Sequence, residues 1–136
     1  MIWQEGTPKA GDIIRVKVRF YHHYGIFVTE DRILQFGYTD NSGHTPEEIV
    51  VLATDLDTFL AGGQGEVGIP DAEEKKRMRA PKKIVAEAER RLGEGGYDIL
   101  HNNCEHFVNE CAFGQHTSAF LSGVRERLRQ KLGKED

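Results

Sequence analysis

Cys104 stands behind Asn102 and Asn103 and ahead of Glu105, His106 and Phe107. A side-chain amide just before an apolar-periodic run is a helix cap. Asn103 therefore predicts a helix over Cys104 to Phe113, with Gly114 as its stop. A cysteine in the first turn of a helix meets unpaired backbone N–H groups and the positive end of the helix dipole. Both favour the thiolate, so the Cys104 pKa is expected to fall, and the same N–H groups can hold a developing oxyanion. Cys104, Phe107, Val108 and Cys111 follow i, i+3, i+4, i+7 and share one apolar face, which must turn inward, toward a sheet. On spacing alone the competing role for Cys104 is a small buried hydrophobe. That is the expected role for Cys111, which lacks the helix-start position.

A nucleophilic thiol needs a base, and the chain carries His22, His23, His44, His101, His106 and His116. His101 and His106 are near in sequence, but neither shares the face of Cys104. His44 and His116 sit in polar segments and read as solvated. His22 and His23 open an otherwise apolar strand, whose period of two sends one toward the helices and the other away. Gln35 is a polar residue inside the apolar stretch Arg32 to Tyr38. A buried glutamine needs a partner and could orient a histidine through its second ring nitrogen. His23 and Gln35 share a face only if the hairpin between them has a three-residue loop, Thr29 to Asp31, or an equivalent bulge. Gly25 then lies opposite Gln35, with His23 its diagonal neighbour at about 7 Å. A two-residue loop would instead put Gln35 on the face of His22 and Tyr24.

The elements that must position these groups fall into a β-rich front and a helical back. Ile14, Val16, Val18 and Phe20 alternate with Arg15, Lys17 and Arg19, which predicts a half-buried strand after the turn Gly11-Asp12. His23 to Val28 and Ile33 to Tyr38 read as the next two strands, joined by the hairpin Thr29 to Arg32. A loop over 39–46 precedes a short strand, Ile49 to Leu52. Thr54-Asp55 caps one turn through Phe59 and Leu60, and Glu66 to Ile69 is a fifth strand. The charged stretch 71–83 reads as a solvated lead into a helix, with a basic docking patch as the alternative. Pro81 suits a first helical position. Ile84, Val85, Ala88 and Leu92 form an apolar stripe ended by Gly93. A last helix over 118–132 carries Leu121, Val124, Leu128 and Leu132 on one face. Packing on the domain is expected for it, with weak peripheral contact to a membrane surface as the alternative. Strands first and helices after predict an α+β fold, a small antiparallel sheet packed against helices.

The 136 residues suit one domain, 1–136. Lys plus Arg total 18 against 22 Asp plus Glu, a net charge of −4 that argues against nucleic acid as a partner. No apolar run approaches a membrane span, and residues 1–12 show no basic leader followed by an apolar run, so neither a spanning helix nor a signal peptide is expected. The two cysteines lie about 10 Å apart along one helix, too far for a disulfide. Two free thiols fit a reducing, cytoplasmic setting. Cys104, His106, Cys111 and His101 do not converge on one helix face and form no CxxC pair, so no metal site and no cofactor is expected.

The segment Asn103 to Glu110, NCEHFVNE, resembles the nucleophile signature of the lecithin:retinol acyltransferase family. That family includes the HRAS-like suppressor phospholipase/acyltransferases and belongs to the wider NlpC-type, permuted papain-like cysteine enzymes. The match continues through Phe113-Gly114. His23 to Val28, HYGIFV, resembles the family's histidine strand, and Gly11-Asp12-Ile13-Ile14 its entry to the first strand. Gly93 to Tyr97 is also similar, and the resemblance covers roughly residues 8–124. It implies Cys104 as nucleophile, His23 as general base and Tyr21 as a candidate oxyanion donor, with Asn103 in support. The family's third polar residue is typically a second histidine; this chain has Gln35 there. A glutamine carbonyl can fix the imidazole tautomer but stabilises an imidazolium less than a carboxylate would.

The resemblance implies thiol-based acyl transfer or hydrolysis through a thioester on Cys104, with a small-molecule or lipid acyl ester as the favoured substrate. A cysteine peptidase or amidase on the same scaffold is one alternative. A catalytically silent binding module, with Gln35 as a mark of decay, is another.

Overall fold

The computed structural model describes residues 1–39, 45–98 and 102–114. His44, His101, His116 and the helix expected over 118–132 lie outside these residues, as does most of the 39–46 loop.

Six strands form one antiparallel sheet: β1 (Ile2–Gln4), β2 (Ile13–Val18), β3 (Tyr21–Thr29), β4 (Arg32–Gly37), β5 (Val50–Thr54) and β6 (Gly65–Ile69). Their order across the sheet is β1-β6-β2-β3-β4-β5. The described residues hold four α-helices, α1 (Leu56–Leu60), α2 (Ala72–Arg77), α3 (Pro81–Arg90) and α4 (Cys104–Phe113), and one 3-10 turn, Pro46–Glu48. The expected α+β class therefore holds, with strands first and the Cys104 helix after them.

Both faces of the sheet are covered. Ile13, Ile26, Leu34, Phe36 and Val51 meet Ile84 and Ala88 of α3 and Cys104, Phe107, Val108, Cys111 and Ala112 of α4. The other face carries a smaller core in which Ile14, Val16, Phe27, Ile33 and Val67 close around Phe59 of α1. Each fully buried side chain of this size contributes about 1.5–3 kcal/mol, so the larger core fixes α4 on the sheet.

Several expectations are corrected. The alternation read through Phe20 stops at Val18: Arg19 and Phe20 form the turn into β3, and Phe20 is 97% exposed. Leu92 is exposed rather than part of the stripe on α3, because the helix ends at Arg90 and Arg91 is the buried residue instead. The charged stretch after Pro70 holds a helix of its own, α2, with Asp71 as its cap and a reciprocal bond from Glu74. The N-terminal strand β1 has no signal in the first residues alone; it exists because Ile2, Trp3 and Gln4 pair with Ile69, Gly68 and Val67.

Candidate active site

The cap of α4 is complete. The Asn103 side chain accepts from the N–H groups of Glu105 and His106 at 3.0 and 3.1 Å, and its own N–H donates to Nδ1 of His106 at 2.9 Å. Gly114 ends the helix in the left-handed region. Cys104 thus takes the first helical position, as the sequence predicts. His106 serves as half of the capping box, a role its spacing from Asn103 encodes and sequence reasoning missed.

Hairpin geometry decides the histidine. Ile26 pairs with Leu34 and Phe27 with Ile33, but Thr29 pairs with Arg32, so a bulge lies between Phe27 and Thr29. The pairing sum is therefore even above the bulge, and His23 and Gln35 share a face. Nε2 of His23 bonds Oε1 of Gln35. A carbonyl oxygen only accepts, so Nε2 carries the proton and Nδ1 keeps the lone pair. The His23 ring also lies against Phe59, with centroids 5.1 Å apart. Gly25 leaves this space open: a Cβ there would come within 2.9 Å of both Ile33 and Phe59.

His23 and Cys104 approach the sheet from different faces. His23 sits with Phe59, whereas Cys104 packs with Ile26, Leu34 and Phe36. The helix-facing member of the pair is His22, on the side of Tyr24, with ring centroids 6.3 Å apart. A break in the sheet lies at this level. Gly11 N–H donates to the Phe27 carbonyl at 2.8 Å, and Phe27 N–H to the Asp12 carbonyl at 2.9 Å. Backbone direction alternates along a strand, so odd-numbered residues of β3 turn toward β2 and even-numbered ones toward β4. The ladder between β3 and β4 begins only at Ile26; Tyr21 to Gly25 pair with β2 alone. The backbone groups of His22 and Tyr24 therefore face an opening, and the Cys104 thiol occupies it, 3.9 Å from the His22 carbonyl oxygen.

The electrostatics correct one expectation. Burial pushes the Cys104 thiol up to about 11; backbone hydrogen bonding from Tyr24 opposes this, Glu105 adds to it, and the backbone of Cys104 and Glu105 opposes it again. Desolvation outweighs the helix dipole, so the resting sulfur is a thiol rather than a thiolate. Burial holds His23 below the ordinary 6.5, against an upward pull from its Gln35 hydrogen bond. Burial thus favours the neutral form of each group.

Tyr21 stands at the start of β3 and is 55% exposed. Its near neighbour Tyr97 packs edge-on against Phe36 at 5.3 Å, and its hydroxyl is pushed up to about 12, first by burial and then by the nearby Cys104, Tyr21 and Tyr38. Sequence reasoning passed over Tyr97 as a site residue; its signal is an aromatic between the Gly95-Gly96 turn and a capped helix. Cys104 and Cys111 are both free and buried. Among the described residues no group of three or more His, Cys, Asp or Glu side chains could hold a metal ion.

A capped cysteine at a helix start, set against a strand whose histidine is oriented by a side-chain carbonyl, defines a candidate thiol site on an α+β scaffold. The sequence profile of the lecithin retinol acyltransferase family matches residues 6–117, and the chain belongs to that family. It is 29% identical over 124 residues to lecithin retinol acyltransferase of Bos taurus, covering 76% of this chain and 54% of that protein. It is 28% identical over 116 residues to human phospholipase A and acyltransferase 3, covering 79% and 72%. Human phospholipase A and acyltransferase 2 is 25% identical over 126 residues, covering 86% and 78%. The chain spans about half the length of the lecithin retinol acyltransferases it matches.

Proposed function

We propose that the protein is a cysteine-dependent acyl-transferring enzyme that forms a thioester on Cys104 from a lipid-like acyl ester. The observation that carries this reading is the Cys104 thiol at the capped start of α4, 3.9 Å from the His22 carbonyl oxygen of β3, the strand that also carries His23, whose Nε2 is bonded to Gln35. The relatives' names, lecithin retinol acyltransferase and phospholipase A and acyltransferase, support a lipid acyl donor.

In this mechanism Nδ1 of His23 reaches the sulfur past the edge of β3, where the Cys104 thiol lies 3.9 Å from the His22 carbonyl oxygen. Nδ1 takes the thiol proton as sulfur attacks the ester carbonyl. The carbonyl oxygen becomes an oxyanion, held by N–H groups at the start of α4, with the Tyr21 hydroxyl as a further donor. The tetrahedral intermediate collapses, the C–O bond breaks, and the imidazolium returns its proton to the leaving alcohol. Water or an acceptor hydroxyl or amine, deprotonated by His23, then attacks the thioester and restores the thiol. The residues given roles need no metal or cofactor for these steps. Two free buried cysteines suit a reducing compartment, and we assign the protein to the cytoplasm. No described helix is long and apolar enough to cross a membrane.

The test is intact-mass spectrometry after incubation with phospholipid vesicles and, in parallel, with peptide amides. A hydroxylamine-labile acyl adduct on the wild-type chain, absent from Cys104→Ala, is the expected result. An unmodified Cys104 together with unchanged turnover by Cys104→Ala would overturn the reading. Turnover of amides alone would move the assignment to a peptidase or amidase.

A further inference from the structure

The hairpin joining β2 to β3 is closed by Arg19 and Phe20, between the paired residues Val18 and Tyr21. Arg19 takes a positive φ of 56°, and the Phe20 ring is 97% exposed. One exposed apolar side chain is ordinary on a protein surface. This one has company: Tyr21, next to it in the chain, is 55% exposed. Tyr21 opens β3, the strand whose His22 carbonyl oxygen lies 3.9 Å from the Cys104 thiol.

The charge beside it has one sign. Lys17 and Arg19 on the same hairpin are exposed, on a chain whose net charge is −4. Arg15, one step inward, is already committed to Glu66 at 2.8 Å and lies over Trp3. An aromatic tip flanked by basic residues matches a bilayer interface, where rings settle at headgroup depth and basic groups meet lipid phosphates.

We propose that the β2–β3 tip is a membrane-docking element: Phe20 enters the interface of an anionic bilayer while Lys17 and Arg19 lie against its phosphates, turning the Tyr21 side of the site toward the lipid. The docking deepens the lipid reading above, on which only its catalytic purpose rests. The insertion itself needs no chemistry at Cys104.

Flotation with zwitterionic vesicles and with vesicles containing phosphatidylserine tests it. Wild-type protein should float with the anionic vesicles, and Phe20→Ser should weaken that binding about tenfold or more. Lys17→Gln with Arg19→Gln should remove the preference for anionic lipid. Phe20→Trp should keep binding, and brominated lipid should quench its emission beyond what Trp3 alone shows. Hydrolysis of a soluble short-chain ester by Phe20→Ser should match wild type while turnover of vesicle lipid falls. Undiminished flotation of Phe20→Ser overturns the docking and leaves the catalytic reading standing. Phe20-dependent flotation with no acylation of Cys104 by any ester does the reverse.

Discussion

In the proposed mechanism a thiol raised to about 11 meets an imidazole held below 6.5, so there proton transfer and attack are coupled. This fixes the sign of the pH dependence. Only neutral His23 accepts a proton. Burial lowers its pKa, so the neutral form persists below pH 6.5, and the acid limb of kcat/KM should fall below that value. Gln35→Glu would set a carboxylate on Nε2, raise the His23 pKa and carry the limb upward. Gln35→Ala removes the upward pull of the hydrogen bond. The limb should then move lower still, while the rate drops by part of the ~10²–10⁴ a positioned base supplies, because the tautomer is no longer fixed. A pH–rate profile of the three proteins measures both effects. His22→Ala is the matching control, since His22 takes the helix-facing side of β3. Acylation surviving His23→Ala but not His22→Ala would transfer the base to His22. The expected fall in the thiol pKa failed for a physical reason: the dipole is a local property that spacing reveals, whereas burial depends on how β3, β4 and α4 meet.

Elements defined by their own ends were the ones the sequence made legible. Asn103 and Gly114 bracket α4, Pro81 opens α3, and Asp55 caps α1 through a bond from Thr58 N–H at 2.7 Å. The parity of Gln35 could be posed from the sequence but not answered, because a bulge between Phe27 and Thr29 takes the place of a longer loop. What stayed hidden depends on distant partners: β1 on β6, the exposed Phe20 on where β2 stops, and the parting of β3 from β4 on the helix start inserted there. Asn103 gives the sharpest test of an element end. Asn103→Ala removes the acceptor of two helix N–H groups and should cost about 1 kcal/mol of stability. Acylation should weaken with it, since the loosened first turn carries Cys104. Asn103→Asp keeps the acceptor but adds negative charge beside the sulfur, so stability should hold while the thiol becomes harder to ionise and the rate falls. Urea melts alongside acylation rates separate the two variants. Equal stability loss in both would mean that the cap acts only through the neutral amide.

The site is assembled from β3, β4 and α4, so its precision depends on what holds the helices against the sheet. The exposed pair Arg90–Glu87 contributes little to this, as surface pairs do. Arg91 is different. It is 7% exposed and lies over the Phe107 ring at 5.2 Å. Its guanidinium donates to Glu94 at 2.8 Å and to Glu110 of α4 at 2.5 Å. The turn it starts is pinned to β5 by Gly93 N–H to the Val51 carbonyl at 2.8 Å and Val51 N–H to the Glu94 carbonyl at 2.9 Å. One side chain thus ties the end of α3, the β5 edge and the middle of α4 together. Its carboxylate partners are partly exposed, Glu110 at 25% and Glu94 at 46%, so removing the guanidinium should cost what charged hydrogen bonds contribute, about 1.5–3 kcal/mol. Arg91→Leu should therefore lose that much in a denaturant melt, a large share of the 5–15 kcal/mol that holds a domain together. Arg91→Leu combined with Glu110→Leu should recover part of the loss, because no carboxylate is then left facing α3 without its cation. The recovery should shrink as salt is added, since the partly exposed Glu110 carboxylate is then screened. A double variant no more stable than Arg91→Leu alone would show that the guanidinium acts through its packing on Phe107 rather than through its charge.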